Sequence, residues 1–331
     1  MSFELLKNHW LVAMKSSQLA KKTVSIELLG ISTLFFRHDD KVIAIKNLCP
    51  HRGAPLSEGC VKKGSIQCAY HGWSFSLDGH LLGIPGNSIQ KTSKTALLTS
   101  YNAKDQDGYI WIKLSDKEAP PPCLPTIHTN YPYIGLVGEL KANLVDVLEN
   151  FLDPLHTHFV HSGLIRSKPN QARHLCHVYI KSITNGYEAI YREQEKQSGL
   201  ISFLYGRNII ESSGRILSPG VVEIEYRSTS AVEMLVNIHV TPVNKDKCRL
   251  FIRTYLKPTF LPIWTKIPFL FPFQLIAYRQ DKRILELQKI NLDLQPEFQP
   301  IKSNLDIMRN CIENVLKGEI TSVDSSLEIL L

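Results

Sequence analysis

The sequence predicts an α+β protein of two domains, a small all-β domain followed by an antiparallel sheet that grips a long helix. Three observations predict it. Short β-type runs separated by Gly, Asn and Asp turns fill residues 20 to 115. The stretch SDKEAPPPCLP at 115 to 125 is charged and then proline-rich, as a stiff linker is. Beyond it, strand-like runs return between two segments of helical periodicity. The expected boundaries are 1–118 for the first domain, 119–125 for the linker and 126–331 for the second.

In the first domain the runs are TVSIELL, STLFFR, KVIAIKN and GYIWIKL. Each combines β-branched and aromatic residues with polar neighbours, which suits a pleated, half-buried surface. In KANLVDVLENFLDPLH (141 to 156), Leu144, Val147, Leu148 and Phe151 recur at helical spacing, and Pro154 ends the pattern. A helix stopping at Asp153 delivers polar side chains to whatever lies at its end. Between 174 and 256, HVYIKSI, YEAIYRE, VVEIEYRS, LVNIHVTP and CRLFIRTYL read as strands, antiparallel by their short turns. Residues 274 to 292 form a long amphipathic helix.

Composition narrows the function classes. With 44% apolar and 21% charged residues over 331 positions, the chain reads as an ordinary globular protein. The net charge of +7 is spread out, with no basic stripe or module of the kind nucleic-acid binding needs. No secretory signal is legible at the N-terminus, and seven cysteines, an odd number, argue for thiols and metal ligation over disulfides, so a cytoplasmic location is expected. The apolar stretch 258 to 278 is interrupted by Pro258, Pro262, Lys266, Pro268 and Pro272, which argues against a spanning helix. It is expected to wall a pocket rather than touch a membrane. The aromatic residues Phe203, Tyr205, Tyr226, Tyr255, Phe260, Trp264 and Phe269 are expected on the pocket walls, while Arg207 and Arg253 are expected to serve the surface, with pairing to a substrate carboxylate as the alternative.

Residues 49 to 73, CPHRGAPLSEGCVKKGSIQCAYHGW, carry the first metal pattern: Cys49 and His51, then Cys68 and His71. A structural zinc site takes like ligands in pairs from one turn, whereas each loop here offers one Cys and one His. Two cysteines holding one iron and two histidines the other describe a [2Fe–2S] cluster, and the imidazoles raise its potential. Glycines within the loops let backbone approach the sulfides. Cys60, between the loops, is expected to pack, while Lys62 and Lys63 are candidates for docking an electron donor.

The motif resembles the Rieske domain of the Rieske non-haem iron oxygenases, and NHWLVA looks like that family's opening strand. A stand-alone Rieske ferredoxin would share this motif, so the second domain must discriminate. There, ENFLDPLHTHFVH is similar to the family's N-x-x-D-x-x-H-x4-H signature at Asn150, Asp153, His156 and His161. Mononuclear iron(II) sites that activate O2 use two histidines and a carboxylate on one face. QDKRILELQ resembles the family's late helix and assigns the carboxylate to Asp281, with Glu286 and Asp293 as fallbacks. His158 falls outside the signature.

The resemblance implies a Rieske [2Fe–2S] domain joined to a helix-grip catalytic domain of START-like type, one cluster and one iron per chain. It also implies O2 as co-substrate, and electrons from NAD(P)H through a ferredoxin or flavin reductase. A head-to-tail homotrimer is implied too, in which Asp153 bridges His156 of its own chain and His71 of the next. Such an enzyme would hydroxylate or oxidatively demethylate an aromatic or bulky apolar substrate, like the vanillate and dicamba O-demethylases. The alternatives are a cis-dihydroxylating ring dioxygenase, a Rieske electron carrier, and a binding protein with a degenerate helix-grip domain.

Overall fold

The computed structural model describes residues 3–20, 22–62, 64–86, 95–165, 174–193, 209–260 and 262–331. The chain divides into two compact units, Met1–Cys123 and Leu124–Leu331.

The first unit opens with a short helix, α1 (Glu4–Lys7), and holds a six-stranded sheet in which Leu11–Lys15 lies at one edge and Val24–Leu28 at the other. A second, four-stranded sheet (Cys60–Lys62, Ser65–Gln67, Ser74–Ser76 and Leu81–Gly83) carries the metal motif. Its central hairpin pairs Ser65 with Ser76 and Gln67 with Ser74, which leaves residues 68 to 73 as the connecting loop. Leu34, Phe36, Ile45, Leu56, Ile66 and Phe75 form an apolar cluster that includes Cys49 and Cys68. The two thiols are therefore anchored in the core.

The second unit is built on one eight-stranded antiparallel sheet that begins with Tyr133–Leu140 and ends with Asp324–Leu330. The sequence reading missed three of its strands, Tyr133–Leu140, Glu211–Leu217 and Asp324–Leu330. Glu211–Leu217 has Ser212, Ser213 and Gly214 where β-branched residues would announce a strand. Helix α2 (Leu144–Leu152) starts at an Asn143 cap, whose Oδ1 accepts the Asp146 N–H at 3.0 Å, and buries Leu144, Val147, Leu148 and Leu152. Near the C-terminus, α4 (Arg309–Lys317) docks beside it, with Arg309 reaching Glu149 at 2.6 Å.

The long helix, α3 (Ile263–Leu294), begins eleven residues before its expected start and runs through Pro268 and Pro272. Each proline removes one backbone donor, but packing of Leu270 and Phe273 against Ile134, Met234 and Leu256 holds this half of the helix on the sheet. The apolar contact outweighs the local breaker signal. None of the described helices is long and apolar enough to cross a membrane.

Candidate metal centres

The two loops of the first unit share one backbone design. In each, the cysteine N–H donates to a carbonyl five residues on, Ala54 for Cys49 and Trp73 for Cys68, both at 2.8 Å. In each, the N–H of the glycine four residues on, Gly53 or Gly72, returns to the cysteine carbonyl, at 2.8 Å and 3.1 Å. That glycine sits at φ +75° in one loop and +69° in the other, a left-handed conformation costly for any residue with a Cβ. Gly59 serves close approach instead, because a Cβ there would lie 1.9 Å from the Gln67 carbonyl oxygen.

Like donors meet across the loops. The Cys49 and Cys68 thiols are hydrogen-bonding neighbours, and the His51 and His71 rings lie 4.7 Å apart, centroid to centroid. Trp73 stacks on His51 at 4.5 Å and sets its plane. Burial pushes the Cys49 thiol up, and the adjacent Cys68 adds to this, while backbone N–H groups of His51 and Arg52 donate to its sulfur and favour the thiolate. His51 is held below its ordinary value by desolvation first, then by His71 and Arg52. Two thiols on one side and two imidazoles on the other fit two irons bridged by sulfide better than one tetrahedral ion. Cys60 faces Gln67 rather than this group, and Lys63 lies outside the described residues.

In the second unit, His156, His161 and Asp281 present one ligating atom each, all within 4.8 Å of one another. His156 lies in a short turn, Leu155–His158, just after α2, whereas Asp281 comes from the middle of α3. Nε2 of His161 is 3.0 Å and Nε2 of His156 is 3.5 Å from Oδ1 of Asp281. Oδ1 of Asp281 is buried without a hydrogen bond, so its lone pair fits the role of a metal ligand. Burial would raise the Asp281 carboxyl, but the two imidazoles outweigh it and hold the group at about 2. Burial would likewise lower His156, yet Asp153 and Asp281 bring it to about 9. A metal ion arriving here displaces that proton.

Asp153 caps the turn bearing His156, its carboxylate accepting the N–H groups of Leu155 at 2.8 Å and His156 at 3.1 Å. Its Oδ2 lies 3.5 Å from Nδ1 of His156. Gln280, which sequence reasoning passed over, orients the other imidazole: its Oε1 is 2.8 Å from Nδ1 of His161, so Nε2 is the nitrogen left to face Asp281. Its position beside the acidic residue was the one available signal. Glu286 accepts the Lys141 N–H, and Asp293 pairs with Lys289, so neither fallback carboxylate joins the group. His158 does not join it either.

The three donors open onto a cavity of about 210 Å³ lined mainly by apolar side chains, including Ile134, Ile224, Met234, Val236, Leu270 and Phe273. Asn150 lines it too, and its Nδ2 is buried without a hydrogen bond. Of the aromatic residues expected on the wall, Tyr226 is there. Tyr255 is buried elsewhere, and Phe260, Trp264 and Phe269 face solvent, 94%, 69% and 73% exposed. Helix periodicity explains the last two: the inward face of α3 is Leu270, Phe273, Gln274, Ala277, Tyr278 and Asp281, and it excludes positions 264 and 269. Arg253 sits between the inward-facing Ile252 and Thr254 on one strand and so projects from the other face, over the Tyr133 ring. Phe203, Tyr205 and Arg207 lie outside the described residues.

Comparison with known proteins follows the same division. Residues 9–98 match the family model of the Rieske [2Fe-2S] domain, and residues 140–308 match that of the vanillate O-demethylase oxygenase C-terminal domain. A vanillate O-demethylase oxygenase subunit of Pseudomonas sp. (strain HR199 / DSM 7063) is 31% identical over 170 residues, 49% of this chain and 47% of its own length. The chloroplastic chlorophyllide a oxygenase of Arabidopsis thaliana is 31% identical over 274 residues, 80% of this chain and 48% of its own. The matches thus span about half the length of these relatives. Among solved structures, Pseudomonas putida CBB5 NdmA with caffeine superposes with a TM-score of 0.76 at 18% identity, covering 98% of both chains. Dicamba monooxygenase bound to 3,6-dichlorosalicylic acid does so at 0.77 and 20% identity, covering 95% of this chain and 97% of its own. At such identities the likeness establishes the shared fold.

Proposed function

The chain belongs to the Rieske oxygenases with a vanillate O-demethylase-type catalytic domain, and we propose that it is the terminal oxygenase of a multicomponent system that hydroxylates or oxidatively demethylates an aromatic or bulky apolar substrate. Electrons would come from NAD(P)H through a ferredoxin or flavin reductase, and O2 would be the co-substrate. One observation carries the reading: the same chain holds a paired Cys/His donor set and a separate His/His/Asp set that opens onto an apolar cavity. An electron carrier needs only the first.

In this reading Cys49, His51, Cys68 and His71 hold the cluster, and His156, His161 and Asp281 hold the iron. When bound, the cluster supplies single electrons and the iron a redox-active Lewis acid that leaves coordination positions for O2. Gln280 and Asp153 keep the two imidazoles aimed, and Asp153 is thereby a positioning residue. Asn150 offers a donor inside the cavity. The apolar lining desolvates the substrate and keeps bulk water from the donors. The exposed His71 and partly exposed Asp153 leave both groups accessible to a neighbouring copy, as a head-to-tail trimer requires.

The test uses the metal-loaded chain with a reductase and a panel of methoxy- and methylamino-arenes, following formaldehyde release against NAD(P)H oxidation. Asp281→Ala is expected to keep the visible spectrum of the cluster and its reduction by the reductase while abolishing product. No product from the wild-type chain, with the cluster reduced equally well in wild type and Asp281→Ala, would instead support the electron-carrier reading.

A further inference from the structure

The inward face of α3 runs Leu270, Phe273, Gln274, Ala277, Tyr278 and Asp281, and Gln274 interrupts its apolar part with a carboxamide. Nε2 of Gln274 donates to Oγ1 of Thr254 at 3.1 Å. Its Oε1 is then left buried with no hydrogen-bond partner. Two neighbouring inward hydroxyls are committed: Tyr278 donates to the Glu139 carbonyl and Tyr191 to the Leu152 carbonyl. A buried acceptor without a partner costs stability unless something entering the cavity supplies a donor.

Position sharpens the point. Gln274 stands seven residues before Asp281, two helical turns away on the same face, or about 10 Å along the axis. That gap suits a para-disubstituted benzene ring with one hydrogen bond at its far end. The cavity volume agrees, since about 150 Å³ of apolar space accommodates benzene and this cavity measures about 210 Å³. Among the described residues, no lysine or arginine lines it, while Asp153 and Asp281 do. An anionic group at the far end would therefore meet the Gln274 amide oxygen, with no described lysine or arginine in the lining to offset it.

We propose that Gln274 selects the substrate: an uncharged, ring-sized molecule whose N–H or O–H donates to Oε1 of Gln274 while its opposite end lies at the His156, His161 and Asp281 group. The proposal rests on the oxygenase reading of the cavity and names the substrate class for it. A pocket that hydrogen-bonds a substrate donor discriminates strongly against the analogue lacking it, because the pocket's own polar group is then left unpaired.

The experiment measures binding rather than turnover, by calorimetry on the anaerobic, metal-loaded full chain. The probes are 4-methoxyphenol, 1,4-dimethoxybenzene and 4-methoxybenzoate. The phenol is expected to bind about 5- to 10-fold more tightly than the dimethoxy compound, and the benzoate more weakly than either. Gln274→Met is expected to bring the first two within about twofold of each other by weakening the phenol alone. The wild-type comparison needs no variant, so poor folding of Gln274→Met leaves the test intact. Equal binding of phenol and diether, preference for the diether or the benzoate, or no binding of any probe at millimolar concentration overturns the proposal. Donor-dependent binding with neither formaldehyde nor hydroxylated product in the reductase-coupled assay would uphold it and overturn the oxygenase reading instead.

Discussion

Replacing Gln280 by Leu removes the acceptor 2.8 Å from Nδ1 of His161 and leaves that N–H in a side chain only 3% exposed. Stranding a buried donor costs about 1–3 kcal/mol. The imidazole recovers part of this by turning, which takes Nε2 away from Asp281. Either route weakens the metal site, and partners of this kind are typically worth about 10- to 100-fold in metal affinity. The assay is anaerobic Fe(II) titration against a competing chelator, with the visible spectrum of the cluster as internal control. Gln280→Leu is expected to lose about 10- to 100-fold in Fe(II) affinity with an unchanged cluster spectrum, and Gln280→Glu, which keeps an acceptor, to recover most of it. Wild-type affinity within twofold in Gln280→Leu would refute the orienting role.

Three further expectations follow from the same geometry. Burial first, and Arg253 second, hold His239 at about 3. Below its unfolded value of about 6.5 the unfolded chain takes up a proton that the folded chain refuses, so stability falls as pH falls. From pH 7 to pH 5 this amounts to about 2 kcal/mol in urea unfolding, and His239→Gln should flatten that slope; an unaltered slope would contradict it. Asn47 ties the first metal loop down, accepting the Ser57 N–H at 2.8 Å and sharing its two Nδ2 hydrogens among the Ser25, Ser32 and Ser57 hydroxyls at 3.0–3.1 Å. Asn47→Ala should cost about 2–3 kcal/mol, read as an earlier midpoint for loss of the cluster's visible absorbance. Gly72→Ala should cost more than Gly30→Ala in the same assay: both sites have positive φ, but a Cβ at Gly72 lies 2.8 Å from Pro85 while Gly30 faces open space. Equal costs would mean that backbone strain alone matters there.

The parts of the site legible in the sequence are those whose chemistry is local. A C-x-H or C-x-x-H loop with glycine four residues after the cysteine states both the donors and the left-handed turn that closes the loop, so Cys49, His51, Cys68 and His71 stand out unaided. His156 and His161 do so because a helix ends just before them at Asp153. Asp281 needed the family resemblance, since an acidic residue in mid-helix otherwise reads as solvated surface, and the structure buries it beside both histidines. Gln280 and Gln274 were illegible for a different reason: an amide's role depends on which helix face turns inward, and the helix phase here is set by Leu270 and Phe273 against the sheet. The same tertiary contact carries α3 through Pro268 and Pro272, where local propensity predicted a break. It also leaves Trp264 and Phe269 on the outside, reversing their expected placement.

Two different iron sites on one chain differ in their sulfide content and can be counted. The direct measurement is the ratio of iron to acid-labile sulfide in protein reconstituted anaerobically with iron and sulfide. About three irons and two sulfides per chain are expected, two irons in the cluster and one at His156, His161 and Asp281, with the third iron alone lost in Asp281→Ala. About two irons and two sulfides in the wild type would contradict the account, because the second donor set would then hold no iron and the chain would be left with electron transfer alone.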